Sequence, residues 1–472
     1  MHRSRSNIIL ITVDSLRVDH LGCHGYNKPT SPNLDQFARE NSFFRNAFSD
    51  GPNTPHAFPA IMASQNSLMS SKLGLFDAPV TLAEVLKSAG YTTLGFNAAN
   101  PYVSRSFHYD RGFDEFNDYL DFAVPTESSK QDNGNGQLEN AIDVPELDLN
   151  RYLLSDEVVH SKACLEKKIN SDCFDAIDSV SGGPFFLWVH YMDTHFPYLP
   201  QMPAQLELGV EPIAKQENFK LNTRVRENMS LSSEMLSGVI QLYDAAVRQL
   251  DSKIGELFSF LKKRNLFESA MIVFTADHGE EFKDHGDLQH KSKLYDELIH
   301  VPFLVKKPHQ QNSEVHEELV SLMQLAPTIL SSIGMENVFE ASGIFDSIFA
   351  ASNFRHSQVF SGASYCGDNA TPVDRNLFNI DVLPKIYSCR EDHWKLIMDL
   401  GNDQKMLFNL IVDPFETQNL YQEQKSSAVR LEQELLEYIS NIEKSCLKSK
   451  IAKVRKKMLY QPQQPHAIRL PS

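Results

Sequence analysis

The chain has 472 residues, of which 42% are hydrophobic and 22% charged. This length predicts more than one domain, and this composition excludes a chain that is mostly disordered. The 45 basic and 61 acidic residues give a formal net charge of −16, which argues against nucleic-acid binding as the main task. The six cysteines lack C-x-x-C spacing, so neither a disulfide scaffold nor a zinc cluster is expected.

The first apolar run, IILITV, stops at Asp14. A secretory signal has a longer apolar run followed by a small-residue cleavage site, so this run is interpreted as a buried strand. About 18 consecutive apolar residues are needed to span a membrane, and the sequence has no such run. We therefore expect a soluble, cytoplasmic protein.

Short apolar runs separated by helical patterns predict an α/β fold. Buried strands are expected at residues 7–13, 91–96, 184–191, 270–275 and 301–305. Apolar residues at a spacing of three and four predict a long helix over 232–264. Strands that alternate with helices predict a mostly parallel central sheet with helices on both faces. Ligands of such sheets bind at the carboxyl ends of the strands.

The pattern along the chain predicts three parts. Residues 1–350 are expected to form the catalytic α/β domain, with a polar surface insertion at about 122–150. Residues 351–425 are expected to form a small α+β subdomain, and 426–472 a helical, basic tail. Within these parts the pattern predicts strands at 357–362, 395–399 and 405–410 and a helix at 426–444. The basic run at 444–457 is interpreted as a solvated helix end, with a nucleic-acid or membrane patch as the alternative.

Polar side chains follow several of the predicted strands. Asp14 closes the first strand, and Asp277 and His278 close the strand at 270–275. Because parallel strands end at one edge of a sheet, we expect these side chains to meet. Two carboxylates and an imidazole suit one divalent cation, with Mg, Mn or Ca favoured over Zn.

Thr54 opens a predicted helix in GPNTPHAFPAIMAS. We expect Thr54 at the N-cap and Pro55 at the first helical position. A hydroxyl beside a divalent cation loses its proton more readily and becomes a nucleophile, and the positive helix end favours an anionic substrate. The alternative is that Thr54 only caps its helix.

Several segments in the same order resemble the sulfatase family of the alkaline phosphatase-like superfamily. They are VDSLRVDHLGCHGYNKPTSPNLDQFARE at the start, GFDEF, HYMDTHFPY, FTADHGEEFKDHG, LYDELIHVPFLV, REDHWKLIMDL and MLFNLIVDPFETQNL. The resemblance covers roughly residues 7–422 apart from the insertion. It implies the sulfatase α/β fold and a metal-dependent ester hydrolase.

The resemblance also implies roles for individual residues. Asp14, Asp277 and His278 match metal-binding positions, and Thr54 lies at the nucleophile position and completes the metal shell. His195 matches the histidine that contacts the transferred group, whereas His190, inside an apolar run, is expected to be structural. Lys291 or His290 is expected to contact the substrate as well. The family's Lys-x-His segment after the strand at 91–96 is replaced here by NAANPYVSR, which leaves Asn100 and Arg105 as the polar candidates there.

Three positions depart from the family pattern. Formylglycine-dependent sulfatases need Cys or Ser where this chain has Thr54, and Arg where it has Phe58. Threonine cannot become the aldehyde hydrate. Ser15 replaces a second metal-binding aspartate. With these differences, the chain instead resembles the phosphoester-processing relatives of the superfamily.

Three functions are therefore considered. The favoured one is a metal-dependent hydrolase or transferase acting on a phosphate ester or diester, with Thr54 as the nucleophile. The second is a sulfuric ester hydrolase that uses the same site, and the third is a non-catalytic relative that binds an anion. The expected partner is a small, lipid-linked or sugar-linked anionic ester, and the oligomeric state stays open.

Overall fold

A computed structural model of the chain describes residues 5–70, 72–120, 156–335, 338–339, 347–349, 358–365 and 383–459. The predicted insertion at 122–150 and the predicted boundary near 350 lie outside these residues. The described strands are β1 Ile8–Val13, β2 Ser42–Phe48, β3 Thr92–Asn97, β4 Glu115–Asn117, β5 Phe185–Tyr191, β6 Met271–Ala276, β7 Glu281–Phe282, β8 Leu288–Gln289, β9 His300–Lys306, β10 Glu314–Ser321, β11 Gln358–Ser364, β12 Lys385–Glu391, β13 Trp394–Asp399 and β14 Gln404–Asn409.

The described α-helices are α1 Pro32–Glu40, α2 Thr54–Ala63, α3 Leu82–Ser88, α4 Asp156–Ser179, α5 Met202–Glu207, α6 Lys215–Arg226, α7 Ser233–Lys263, α8 Asp296–Ile299, α9 Leu325–Ser332 and α10 Lys425–Leu459. Short 3₁₀ helices lie at Val18–His20, Gly22–His24, Ser67–Met69, Pro101–Val103, Arg105–Phe107 and Leu322–Gln324. Among the described helices, none is long and apolar enough to cross a membrane.

The central sheet has the strand order β10-β2-β9-β6-β1-β5-β3-β4 within the described chain. Strand β9 runs antiparallel to its neighbours β2 and β6, and the other adjacent pairs are parallel. Strands β1, β5 and β6 are buried along their whole length, which means that both faces of the sheet are covered at its centre. The predicted mostly parallel α/β fold is confirmed.

The five strands expected from apolar runs begin and end within one residue of the predicted ranges. The sequence pattern missed β2, β4 and β10 of the central sheet and the short pair β7 and β8. Strand β10 lies at the edge of the sheet and exposes most of its charged residues, so it has no continuous apolar run. Strand β4 is only three residues long.

Helix α7 lies against α1 and α4 through its apolar face. The Phe37 and Phe258 rings stack at 4.9 Å, and the Phe174 and Phe260 rings stack at 4.1 Å. The Asp251 carboxylate on α7 accepts a hydrogen bond from the Leu34 amide at the start of α1, at 2.8 Å. The long helix therefore holds the elements that flank β1.

A second sheet, of antiparallel strands in the order β11-β12-β13-β14, follows the catalytic sheet. The sequence pattern missed β12. Helix α10 includes the predicted helix at 426–444 and continues to Leu459, through the basic run that was interpreted as a helix end. The Gly362 amide of β11 donates to the Asp50 carbonyl at 2.8 Å, and the Ser361 hydroxyl donates to the Ser49 carbonyl at 2.6 Å. The second sheet thus supports the loop that leads into α2.

Candidate active site

Two aspartates meet where β1 and β6 end. The parallel register pairs Val13 with Ala276, so the next residue of each strand is an aspartate, Asp14 or Asp277. The Asp277 amide donates to the Val13 carbonyl at 3.0 Å, which continues the ladder one residue beyond the strands. Both aspartates are fully buried. The expected meeting of the two carboxylates is therefore observed.

The Asp277 carboxylate has one satisfied oxygen and one unsatisfied oxygen. Oδ1 accepts hydrogen bonds from the amides of Ser15 at 3.3 Å and His278 at 2.8 Å. Oδ2 is buried and accepts no hydrogen bond from the part of the chain that the structure describes. Burial and the charge of Asp14 raise the pKa of Asp277 well above its usual range. An unpartnered carboxylate oxygen beside a second carboxylate fits a bound cation.

Asp14 has a different environment. Its Oδ1 accepts from the Ser15 hydroxyl at 2.7 Å, and its Oδ2 accepts from Asn100 Nδ2 at 2.6 Å. Burial by itself raises the pKa of Asp14, but the nearby His195, His190 and His278 outweigh burial and hold that pKa well below its usual range. Asp14 is therefore the ionised member of the carboxylate pair.

His278 presents one ring nitrogen to both carboxylates. Its Nδ1 donates to the Gly279 carbonyl at 2.8 Å, while Nε2 lies 3.5 Å from Asp14 Oδ1 and 3.6 Å from Asp277 Oδ2. Burial, followed by the neighbouring His290, lowers the pKa of His278 to about 4. A neutral imidazole with Nε2 turned to two carboxylates is suited to metal binding.

His190 lies inside β5, where the sequence analysis assigned it a structural role. Its Nδ1 is 3.0 Å from Thr12 Oγ1, and its Nε2 is 3.8 Å from Asp14 Oδ2. Asp14, His190 and Asp277 can offer ligand atoms that all lie within 4.8 Å of one another. His190 is therefore a further candidate ligand, which the apolar pattern of β5 concealed.

Asp14, His190, Asp277, His278 and the side chains that contact them form one cluster. Thr54 begins α2 at the edge of this cluster and is almost fully buried. Its Oγ1 donates to Asp14 Oδ2 at 3.2 Å and lies 3.4 Å from His278 Nε2. The N-cap position belongs to Asn53, so the prediction that Thr54 is the N-cap is wrong. The helix starts one residue earlier than expected, and this frees the threonine hydroxyl to face the carboxylates.

The rings of His195 and His290 contact each other, and that of His290 also contacts His278. The ring centroid of His290 is 4.5 Å from that of His278 and 5.2 Å from that of His195. His290 Nδ1 is 2.9 Å from Glu280 Oε1. Burial by itself lowers the pKa of His290, but the Glu280 carboxylate outweighs it and raises that pKa to about 9. Glu280 was missed by the sequence analysis, although it lies only two residues beyond His278 in the DHGEE motif.

The remaining expected substrate contacts differ in position. Asn100 is in the cluster, since its Nδ2 lies 3.4 Å from Thr54 Oγ1 as well as close to Asp14. Lys291 Nζ donates to Asp287 Oδ1 at 2.7 Å. Arg105 is more than half exposed, and its guanidinium lies over the Phe116 ring at 5.3 Å. The described contacts of Lys291 and Arg105 are therefore outside the cluster.

Backbone residues with a positive φ adjoin three of these side chains. Ser15, Ala99 and Gln289 have φ values of 59°, 61° and 67°. Residues other than glycine rarely adopt this left-handed conformation, and it concentrates at functional sites. The adjoining side chains are those of Asp14, Asn100 and His290.

Comparison with known proteins identifies two family models that match most of the chain. Residues 6–335 match the sulfatase family, and residues 284–444 match the family described as N-sulphoglucosamine sulphohydrolase, C-terminal. Human iduronate 2-sulfatase is 27% identical over 351 residues, which cover 64% of this chain and only 60% of that protein. The arylsulfatase of Clostridium perfringens is 22% identical over 449 residues, 86% of this chain and 90% of that one.

Among solved structures, the phosphonate monoester hydrolase of Agrobacterium radiobacter has the same fold. It superimposes with a TM-score of 0.67 over 93% of this chain and 96% of that one, at 16% sequence identity. The family match extends over most of the chain and includes Asp14, Thr54, His195, Asp277 and His278. On this evidence the chain belongs to the sulfatase family.

Proposed function

We propose that this protein is a divalent-metal-dependent hydrolase of anionic esters, with Thr54 as the nucleophile and a phosphate ester or diester as the substrate. The observation that supports the proposal best is the position of Thr54 Oγ1. It lies 3.2 Å from Asp14 Oδ2 and 3.4 Å from His278 Nε2, beside a carboxylate oxygen that no described group satisfies.

The residues of the cluster fit a metal ion. Asp14 and Asp277 would hold it with His278 or His190, and Thr54 Oγ1 would complete the protein ligands. When bound, a divalent ion neutralises the two carboxylates, lowers the pKa of the adjoining hydroxyl and polarises the ester. The mixture of carboxylate oxygens and imidazole nitrogens suits Mg, Mn or Ca and also accommodates Zn.

The chain's own residues then position the reaction. The Asp14 carboxylate accepts a hydrogen bond from the Thr54 hydroxyl. This contact orients the hydroxyl so that a lone pair of Thr54 Oγ1 can attack the ester. The Thr54 oxygen forms a bond to phosphorus, and the bond from phosphorus to the leaving oxygen breaks, which yields a phosphothreonine and an alcohol. Water or a second alcohol resolves the phosphothreonine. His195 lies beside the cluster, and its imidazole is suited to stabilise negative charge that develops on the transferred group.

Phosphate is preferred over sulfate because of the nucleophile. A sulfothreonine lacks the aldehyde-hydrate route by which formylglycine expels sulfate. The matched family supports the alternative, a sulfuric ester hydrolase that uses the same site. A panel of nitrophenyl phosphate, phosphodiester, phosphonate and sulfate esters, each tested with Mg, Mn, Ca and Zn, separates the two. We expect the highest kcat/KM on a phosphorus ester, and a clear preference for sulfate would contradict this choice.

The nucleophile is tested by a matched pair of variants. Thr54→Val keeps the shape of the side chain and removes the hydroxyl, whereas Thr54→Ser keeps the hydroxyl. Since Asn53 is the N-cap, neither change removes a helix cap. We expect Thr54→Val to lose about three or more orders of magnitude in kcat and Thr54→Ser to retain measurable turnover. A Thr54→Val variant with more than about a tenth of the activity, a barrier change of only ~1.4 kcal/mol, would remove Thr54 from the mechanism.

A further inference from the structure

The sequence resemblance assigns the substrate-contacting cation to Lys291, with His290 as a rival. We propose that His290 contacts the anionic ester in place of Lys291, and that Glu280 is the positioning residue that orients the His290 ring. This inference rests on the proposed function and names two of the groups that recognise the substrate.

The position of His290 supports this role. Its ring contacts that of His278, which faces the carboxylate pair, and that of His195, the expected contact of the transferred group, with centroid distances of 4.5 Å and 5.2 Å. Its Nδ1 is engaged by Glu280 at 2.9 Å, so Nε2 lies on the opposite side of the ring. The side chain is about one-fifth exposed, so an ester can approach it from the solvent side. The left-handed backbone at Gln289 directs the chain into this position.

Glu280 is fixed on several sides. It is fully buried, its Oε2 accepts from the Tyr198 hydroxyl at 2.8 Å, and its carbonyl accepts from Arg17 Nη1 at 3.1 Å. A buried carboxylate that is hydrogen-bonded at both oxygens has little freedom to move. It therefore holds the imidazole at a defined angle, as a carboxylate orients a histidine in many catalytic sites.

Lys291 has a different set of partners. Its Nζ is 2.7 Å from Asp287 Oδ1, and Asp287 is also paired with Lys293 at 2.8 Å through its other oxygen. If Lys291 turned toward the ester, its ion pair with Asp287 would break, and Asp287 would keep only its ion pair with Lys293. The adjacent histidine is already in place and requires no such rearrangement.

The test compares His290→Gln, Glu280→Gln, the double variant and Lys291→Met in the manganese-loaded protein. Calorimetry measures the affinity for inorganic phosphate, and kinetics with the best ester of the panel give kcat and KM separately. We expect His290→Gln to weaken phosphate binding about tenfold and Glu280→Gln about threefold, because each loses a hydrogen bond involving a charged group. We expect the double variant to equal His290→Gln, and Lys291→Met to stay within about twofold of the wild type.

A second buried histidine–glutamate pair provides the matched control. His285 Nδ1 lies 2.6 Å from Glu297 Oε1, outside the cluster. We expect His285→Gln and Glu297→Gln to change stability and to leave phosphate affinity and KM unchanged. Metal content, measured by mass spectrometry, should be equal in all variants, and loss of metal in His290→Gln would overturn its assignment as a substrate contact.

Other results would also distinguish His290 from Lys291 as the substrate contact and test the role of Glu280. A large loss of phosphate affinity in Lys291→Met with none in His290→Gln would return the role to the lysine. Additive losses in the double variant would show that Glu280 does not act through His290. A protein that binds phosphate through His290 yet hydrolyses no ester of the panel would support this inference while contradicting the proposed function.

Discussion

At the scale of single residues, the carboxylate pair decides how the site behaves with and without a metal. Asp14 and Asp277 offer oxygens within 4.8 Å of each other in a fully buried position, and Asp277 Oδ2 accepts no hydrogen bond from the described residues. Two like charges placed this close repel each other unless a cation or a proton compensates them. We therefore expect the pair to destabilise the metal-free protein and, if the proposed function is correct, to ligate the metal in the loaded protein.

This reasoning predicts opposite effects of Asp277→Asn in the two states. Without metal, the variant should melt roughly 1–3 °C higher than the wild type, because the buried Asp277 carboxyl must take up a proton on folding and Asn avoids this cost. With manganese, it should melt lower, because metal affinity falls at least about tenfold when a ligand is lost. Thermal melts with EDTA and with manganese, together with calorimetry of manganese binding, measure both effects.

Asp50→Asn is the matched control for this prediction. Asp50 is equally buried, and neither of its carboxylate oxygens has a hydrogen-bond partner among the described residues. Its replacement should shift the melting temperature by the same amount with and without manganese. Unchanged manganese affinity in Asp277→Asn would exclude Asp277 as a ligand.

At the scale of elements, the turn between β7 and β8 is held against α8 by an ion pair. His285, between the two strands, faces Glu297 of α8 at 2.6 Å, stacks on the Tyr295 ring at 3.5 Å and lies 3.3 Å from the Glu416 carbonyl. Burial by itself lowers the pKa of His285, but Glu297 outweighs it and raises that pKa above 6.5. The contact therefore depends on the protonated imidazole.

Because the folded-state pKa of His285 is raised, the stability it contributes is fully present below about pH 6.5 and is lost as pH rises through the folded value. We expect His285→Gln to lower the free energy of unfolding most at pH 5.5, which is below the pKa of His285 in both the folded and the unfolded protein. This difference should shrink steadily at pH 7.5 and pH 8.5. Denaturant titrations of both proteins at these pH values measure it, and a difference that stays constant with pH would contradict the protonated pair.

At the scale of the whole molecule, a buried cluster of charges joins the C-terminal sheet to the catalytic sheet. Lys395 of β13 is fully buried, and its Nζ lies 2.6 Å from Asp296 of α8 and 2.8 Å from Glu416. Glu416 Oε2 also accepts from the Asp296 amide at 2.6 Å. The second sheet is thus attached directly behind the segment that contains His290 and Lys291.

Lys395→Met should therefore lower the free energy of unfolding by about 3 kcal/mol, since it leaves the buried Glu416 carboxylate without the Lys395 cation, whereas Asp296 keeps its ion pair with Arg390. Lys405→Met is the control, because the Lys405–Glu432 pair is partly exposed and its loss should cost less than about 1 kcal/mol. Denaturant unfolding of both variants measures the difference. Equal, small losses would mean that the cluster does not join the two sheets.

The α/β fold, the positions of the central strands and the two aspartates follow from the amino-acid pattern. The reason is local: buried parallel strands require continuous apolar runs, and the first polar residue after each run lies at the edge where ligands bind. Asp14 and Asp277 could be predicted because a strand ends at a defined place in the sequence.

The tertiary structure alone decided which side chains complete the site. His190 is concealed in an apolar strand, and Glu280 faces His290 only because β7 and β8 pair and return the chain to the cluster. His290 and Lys291 are neighbours in sequence, and the choice between them depends on contacts with Glu280 and Asp287. Such choices depend on which groups become buried together, and one-dimensional spacing does not contain that information.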